Sequence, residues 1–267
     1  MPVFTLPKSS HPDFALPNVK PKGGVIDREH WAGRDCVFSY IRGKKNIASN
    51  GRLQQNNTVD ETPRGLVIDT AGDCVFDAAA RHGTDGVTIL FRAEAQSTPA
   101  AWSEHITSKS FFEEGKGFWI QKWSSESSGL LVTGSGATAW HATLNQSTIA
   151  VGTEYTYVIV MDGTTAYLYE KGYTVQSGTI SACNTETTDG IHIANDSGFD
   201  SPVLNSVVKT SAVFSRPFSE GEARSLLTDN YQYIKPAIPL TYFVPAAAAG
   251  GNEPLFYHHQ RMLSRCS

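Results

Sequence analysis

The chain has 267 residues, 40% of them hydrophobic and 18% charged, with a formal net charge of −4. A charged share below the roughly 25% of average globular chains, at this apolar content, excludes disorder of the whole chain, which needs high charge and few large side chains. No apolar run approaches the roughly 20 residues that a membrane-spanning helix needs, and the negative balance argues against duplex nucleic acid, whose phosphates require a clustered Lys/Arg surface.

The first 24 residues place proline at 2, 7, 12, 17 and 21. Proline fixes φ and lacks a donor, so this density forbids a helix and an inner strand. Phe4, Leu6, Phe14 and Leu16 stand between the prolines, and the segment reads as an extended arm with apolar studs. It lacks a basic start and a continuous apolar core, so it is not expected to be a signal peptide, and synthesis in a reducing cytoplasm is expected. Cys36, Cys74, Cys183 and Cys266 are far apart, without metal-ligand spacing, and read as buried free thiols. The sequons at Asn56, Asn145 and Asn195 then carry little meaning.

Residues 30–218 read as β almost throughout. Leu66–Asp69 and Cys74–Asp77 are short apolar runs around a turn, and Val87–Arg92 is rich in β-branched and aromatic residues. Tyr155–Met161 is apolar on both alternating faces, as expected of a central strand buried on each side. Asp162-Gly163 is a hairpin signal, because both turn positions favour φ > 0, and Thr165–Glu170 is the return strand. Many short strands with a turn every 8–12 residues predict a sandwich. One helix is expected, and it is late: Ser219-Glu220-Gly221-Glu222 is a capping box, and Ala223, Leu226 and Leu227 follow at helical spacing. Beyond it, Pro236, Pro239, Pro245 and Pro254 punctuate a second arm that contains Phe256 and Tyr257. Both ends are basic: residues 1–24 carry +2 and residues 235–267 carry +2, leaving −8 for the middle. The predicted organisation is an N-terminal arm over 1–24, a sandwich over 25–235 and a C-terminal arm over 236–267.

Several segments, in order, resemble a known family. Gly65-Leu66-Val67-Ile68-Asp69 with Gly72-Asp73-Cys74-Val75 resembles an early hairpin of the concanavalin A-like, laminin-G-like jelly roll. Tyr155 to Gly163, then Leu168-Tyr169-Glu170-Lys171-Gly172, resembles its central hairpin. Val213 to Ser219 with Glu222 resembles its last strand and short helix. Asp229-Asn230-Tyr231-Gln232 resembles the Asn-Pro-Trp-Gln ending of versions in tailed-phage and prophage proteins, departing from it at Asn230 and Tyr231. The resemblance covers about residues 60–235. It implies an all-β antiparallel jelly-roll sandwich with one short C-terminal helix, and termini close together, so that both arms leave one side of the body. Because this fold hosts lectins, hydrolases and structural modules, it does not imply one activity.

Catalytic patterns are absent from the sequence. A retaining glycosidase needs two carboxylates about 5–5.5 Å apart, which on one strand means acids at neighbouring same-face positions. Related hydrolases carry a Glu-x-Asp-x-x-Glu run, which this chain lacks; Glu113-Glu114 lie in an expected turn, and Glu154 starts a strand alone. There is no Gly-x-Ser-x-Gly elbow and no His-Glu-x-x-His. Gly134 to Ala139 fits a Gly-x-Gly-x-x-Ala pattern but leads into a strand, so it reads as a hairpin turn. Asp69, Asp73, Asp77, Asn195, Asp196 and Asp200 are oxygen donors of the type calcium takes, but nothing gathers them around one point, and they read as solvated turn residues. No enzyme activity, no cofactor and no metal are expected.

One strand suggests sugar binding. In Gly117 to Trp123, alternation puts Trp119, Gln121 and Trp123 on one face and Phe118, Ile120 and Lys122 on the other. Flat indoles stack on sugar C–H faces, and an amide between them hydrogen-bonds hydroxyls. The preferred alternative is that these tryptophans fill the sandwich core; Trp102 and Trp140 are also read as packing residues. Two functions follow as expectations. The first is a non-enzymatic phage virion protein, a capsid decoration or tail component anchored through Phe4, Leu6, Phe14, Leu16, Phe256 and Tyr257 to phage capsid or tail proteins. It would be a homo-oligomer or symmetric assembly, in which many weak contacts add. The second is a lectin-like module for host-surface glycans, using Trp119, Gln121 and Trp123. A glycoside hydrolase is third.

Overall fold

In a computed structural model, the described residues are 24–41, 45–49, 51–56, 59–70, 73–98, 103–108, 117–122, 129–133, 141–145, 149–181, 190–194 and 204–235, with the backbone alone at 3–5, 56, 129–133, 141, 145 and 241–243. The strands are β1 (Val3–Thr5), β2 (Val25–Ile26), β3 (Cys36–Tyr40), β4 (Lys45–Asn46), β5 (Gly51–Arg52), β6 (Gln54–Asn56) and β7 (Asp60–Thr62). They continue with β8 (Gly65–Ile68), β9 (Cys74–Asp77), β10 (Val87–Ala95), β11 (Glu104–Thr107), β12 (Trp119–Lys122), β13 (Gly129–Thr133) and β14 (His141–Asn145). The last are β15 (Glu154–Asp162), β16 (Thr165–Glu170), β17 (Gln176–Thr179), β18 (Ile191–Ala194), β19 (Ser206–Phe214), β20 (Ile234–Lys235) and β21 (Thr241–Phe243). The helices are α1 (Trp31–Arg34) and α2 (Glu220–Thr228).

Two antiparallel sheets face each other, the all-β sandwich that the strand pattern predicts. The eight-stranded sheet runs β17-β16-β15-β10-β19-β8-β7, with β3 also paired to β19. The seven-stranded sheet runs β14-β13-β12-β11-β18-β9-β6. The chain passes repeatedly from one sheet to the other, so sequence-distant strands become neighbours, as where β18 lies between β11 and β9.

β10 lies at the centre, paired on one side with β15 and on the other with β19. Its odd-numbered residues Ile89, Phe91 and Ala93 enter the core between the sheets, with Tyr157, Ile159, Ile106, Phe118 and Ile120. Leu90 faces the opposite way, into a second core with Val158, Val160, Phe214 and the α2 residues Ala223, Leu226 and Leu227. Burying each such side chain contributes about 1.5–3 kcal/mol, so both faces of the central strands have to be covered. This is the two-faced burial that the continuous apolar run from Tyr155 predicts.

The capping box of α2 is present: Ser219 accepts from the Glu222 amide, and Glu222 accepts from the Ser219 amide at 2.9 Å. Arg216 holds Glu222 bidentately at 2.7 and 3.1 Å, reaches Asp35 at 2.7 Å, and lies 4.4 Å over the Phe218 ring. These donors keep the Glu222 carboxyl down at about 2. At the other end Asn230 Nδ2 donates to the Leu226 carbonyl at 2.8 Å and closes the helix. The expectation of a single helix is corrected by α1, one turn capped by His30 Nδ1 accepting from the Ala32 amide. Its sequence, Trp-Ala-Gly-Arg, has no helical period; Arg28 defines it from outside by donating to the carbonyls of Gly33, Arg34 and Cys36.

Strands from the two terminal regions pair. β2 pairs with β20, and further out β1 pairs with β21. The remaining arm positions, Leu6, Phe14, Leu16, Phe256 and Tyr257, and the Phe4 side chain, lie outside the described residues. So do Cys183, Cys266, Trp102, Trp140, Glu113-Glu114 and the Gly134–Ala139 segment; Cys36 and Cys74 are buried thiols outside any disulfide.

Along one side the sheets abut at β14 and β17. A Cβ on Gly178 would stand 2.5 Å from the Ala142 Cβ, below any tolerated contact. Gly178→Ala is therefore expected to destabilise the protein by about 1–3 kcal/mol in urea denaturation. Adding Ala142→Gly removes the opposing methyl and recovers part of that loss; a merely additive double variant would show that the sheets do not touch there.

Candidate functional site

The outer face of the seven-stranded sheet carries a cross-strand row set by register. Gln54 is opposite Phe76, Phe76 opposite His192, His192 opposite Thr107, Thr107 opposite Trp119, Trp119 opposite Thr133, and Thr133 opposite His141. Phe118 and Ile120 occupy the core on the other side of β12. Trp119 and Gln121 thus share the outer face, as alternation predicts, and the reading that Trp119 fills the core between the sheets is corrected. Both are nonetheless covered, each 8% exposed, so the indole is not an open stacking surface. Trp123 lies outside the described residues. The buried indole Nε1 of Trp119 has no hydrogen-bond partner among the described residues.

The middle of this row is closed, with His192 2% and Thr107 0% exposed. Its β6 end is open. Gln54 is exposed, and the half-buried Phe76 stacks flat on His192, ring centroids 4.8 Å apart and planes within 10°. Arg52, Leu53, Gln54 and Gln55 line a hollow of about 290 Å³ at this edge. Leu53 turns into the sandwich core; the alternate residues Arg52 and Gln54 face outward.

The hollow is bounded by the β4–β5 hairpin, in which Lys45 is opposite Arg52 and Asn46 opposite Gly51. Asn46 is fully buried and fixes the hairpin. Its Oδ1 accepts from the amides of Ser39 at 2.9 Å and Ala48 at 3.0 Å, and its Nδ2 donates to Asp77 Oδ2 at 2.7 Å. Ser49 also donates to that carboxylate, at 3.1 Å, and Asp77 Oδ1 accepts from the Ala79 amide at 2.9 Å. Arg28 adds a bond to the Ala48 carbonyl at 2.8 Å. A two-residue-per-strand hairpin would not persist alone; these bonds tie it to β3 and β9.

Asp77 is therefore a structural acceptor, which corrects its reading as a solvated turn residue. Asp73 is buried as well, accepting from the Thr70 amide; Asp69 is exposed, and Asn195, Asp196 and Asp200 lie outside the described residues. Among the described residues no group of three His, Cys, Asp or Glu side chains is placed to hold a metal ion. Glu154 lies in an ion-pair chain, with Arg92 at 2.5 Å and with Lys209, which also holds Glu94 at 2.8 Å. These contacts keep its carboxyl below its ordinary range.

Sequence reasoning missed the edge site. The available signal is charge: residues 36–59 contain Arg42, Lys44, Lys45 and Arg52 and no Asp or Glu, within a chain of net charge −4.

A second polar group lies inside the sandwich. A register shift between Glu104 and Ile106 turns His105 inward as the extra residue of a bulge, where it stacks on Phe91 and meets the Tyr157 hydroxyl through Nδ1 at 2.7 Å. Burial, assisted by the Lys122 charge, pushes the imidazole down to about 3. The group is enclosed and structural.

No protein-family model matches the sequence, and no curated protein matches it. Solved structures match by fold. The Trypanosoma rangeli sialidase is 12% identical, with a TM-score of 0.52 over 78% of this chain and 36% of the sialidase. The binding domain of botulinum neurotoxin DC in complex with SialylT is 12% identical, with a TM-score of 0.53 over 74% of this chain and 52% of that domain. The binding domain of botulinum neurotoxin serotype D/C VPI 5993 is 13% identical, with a TM-score of 0.54 over 75% and 53%. The chain thus spans about a third to a half of the structures it matches. At this identity the likeness is one of fold.

His105 supplies a pH test. Its folded-state value lies below the roughly 6.5 of an unfolded chain, so the unfolded state binds the extra proton, and stability falls as pH drops from about 6.5 towards about 3. The loss attributable to His105 reaches about 2 kcal/mol at pH 5. His105→Gln is expected to flatten that part of the profile in denaturant titrations at pH 7, 6 and 5; an unchanged slope would mean that His105 takes up its proton as readily in the fold as in the unfolded chain.

Proposed function

We propose that this chain is a carbohydrate-binding module, a lectin-like jelly roll of the concanavalin A-like kind, with its glycan site at the β6 edge of the outer sheet face. The hollow lined by Arg52, Leu53, Gln54 and Gln55 carries this reading, because one of its lining residues, Gln54, is paired across β6 and β9 with Phe76. Phe76, opposite Gln54 and held flat by His192, offers an apolar face to a sugar ring, while Gln54 offers an amide acceptor and donors to hydroxyls. Trp119 and Gln121, about 19 Å away across four strand spacings, are proposed as a further contact zone on the same face, and Trp123 with them. The fold neighbours support the reading: one is a sialidase, and one is a toxin binding domain in complex with SialylT. On this reading the module binds without cleaving.

Phe76→Ala with Gln54→Ala is expected to weaken binding on a glycan array at least tenfold in a protein that still melts cooperatively, at a temperature lowered by the loss of the Phe76–His192 stack; Gln54→Ala alone, at an exposed position, is expected to weaken binding without that shift. Retained binding would remove the β6 edge from the reading, and release of reducing ends from a bound polysaccharide would turn it towards hydrolysis.

A second reading, a phage virion component, is supported by the pairing of β1 with β21 and of β2 with β20, which brings both arms to one place. Phe4, Leu6, Phe14, Leu16, Phe256 and Tyr257 are its proposed anchors on capsid or tail proteins, in a symmetric assembly within the virion. Quantitative mass spectrometry of purified particles is expected to give a fixed number of copies per capsid or tail subunit; absence from particles would end this reading.

A further inference from the structure

We infer that the β6-edge site takes an anionic glycan, one whose sugars carry carboxylate or sulfate groups, through Lys45 and Arg52. The inference rests on the glycan-binding reading above and names the ligand's charge. Lys45 and Arg52 are directly opposed across the β4–β5 hairpin, and both are exposed. Neither is among the residues engaged in an ion pair or a side-chain hydrogen bond in the described structure. Like charges directly opposite one another destabilise a strand pair. Among the other described cations, Arg64, Arg92, Lys209, Arg216, Arg224 and Lys235 each hold a carboxylate, while Arg34 and Lys171 are exposed without an ion pair but do not stand opposite a second cation in a strand pair.

The hairpin is also held rigidly in the position that keeps the two cations together. Asn46, between β3 and Asp77, and Arg28, on the Ala48 carbonyl, anchor it on its buried side, while Lys45 and Arg52 project from the other. Arg52 lines the hollow beside the exposed Gln54 amide. A guanidinium fork takes two oxygens of a carboxylate or sulfate in parallel, and the ammonium of the residue directly opposite, whose Cα is about 5 Å away, adds a point charge. The ring that bears the anion would then rest towards Phe76. Sequence adds Arg42 and Lys44 to this acid-free stretch. The charge is local: the whole chain is at −4, which repels a long, uniformly charged duplex but not a short segment of a glycan.

The test uses the full chain and two polymer pairs that share rings and differ in charge: polygalacturonate with its methyl ester, and dextran sulfate with dextran. Affinity electrophoresis is expected to show retardation by at least one anionic polymer at least tenfold stronger than by its neutral partner, weakening with added salt. Lys45→Met with Arg52→Met, exposed positions whose exchange relieves the like-charge contact and does not lower the melting temperature, is expected to abolish that difference. Equal binding of charged and neutral partners overturns the inference and keeps the glycan reading. Binding of none of the four polymers counts against both. Competition by polyaspartate or duplex DNA as strong as by the anionic glycan overturns the inference by showing a site that reads charge alone.

Discussion

A strand with apolar side chains on both faces has to be covered twice, and the architecture follows from that requirement at β10. Phe91 and Ile89 face one way and Leu90 the other. The seven-stranded sheet covers the first face. α2, with the chain around it, covers the second, which is why an almost all-β chain keeps one well-capped helix. The capping box, the Arg216 clamp and Asn230 hold that helix in place, since a helix of nine residues has little stability of its own.

The same requirement makes the outer face of the seven-stranded sheet different in kind. It is free of core duty, and its polar residues need not match the hydrophobic period. Across it the row from Gln54 to His141 is fixed by register alone. Its middle is closed at His192 and Thr107, and among the described residues of the row Gln54, at the β6 edge, is exposed. There a hairpin too short to stand alone is pinned by one buried asparagine and one buried carboxylate. The rigidity beneath the hairpin and the unpaired cations on it belong together: a ligand-facing side chain selects best when its own support does not move.

Much of the fold was legible in the sequence, and particular residues show why. Tyr155–Met161 and Asp162-Gly163 announce a central hairpin because alternation and turn chemistry are local. Ser219 and Glu222 announce a helix start because both capping partners lie three residues apart. α1 was not legible, since Arg28 acts on it through carbonyls rather than through a sequence period. Asp77 looked like a turn residue because its partners, Asn46 and Ser49, come from a strand pair about thirty residues earlier.

The candidate site divides in the same way. By itself the sequence determined the sandwich class, the alternation that puts Trp119 and Gln121 on one face of their strand, and an acid-free basic stretch over 36–59. These are properties of period and composition, which a chain carries before it folds. Only the tertiary structure decided which face of β12 met the core, how deeply Trp119 was covered, and that Lys45 and Arg52 stood together beside Gln54 and Phe76. Those facts depend on pairing strands far apart in sequence, and strand pairing is set by the burial of the whole sandwich rather than by any local segment.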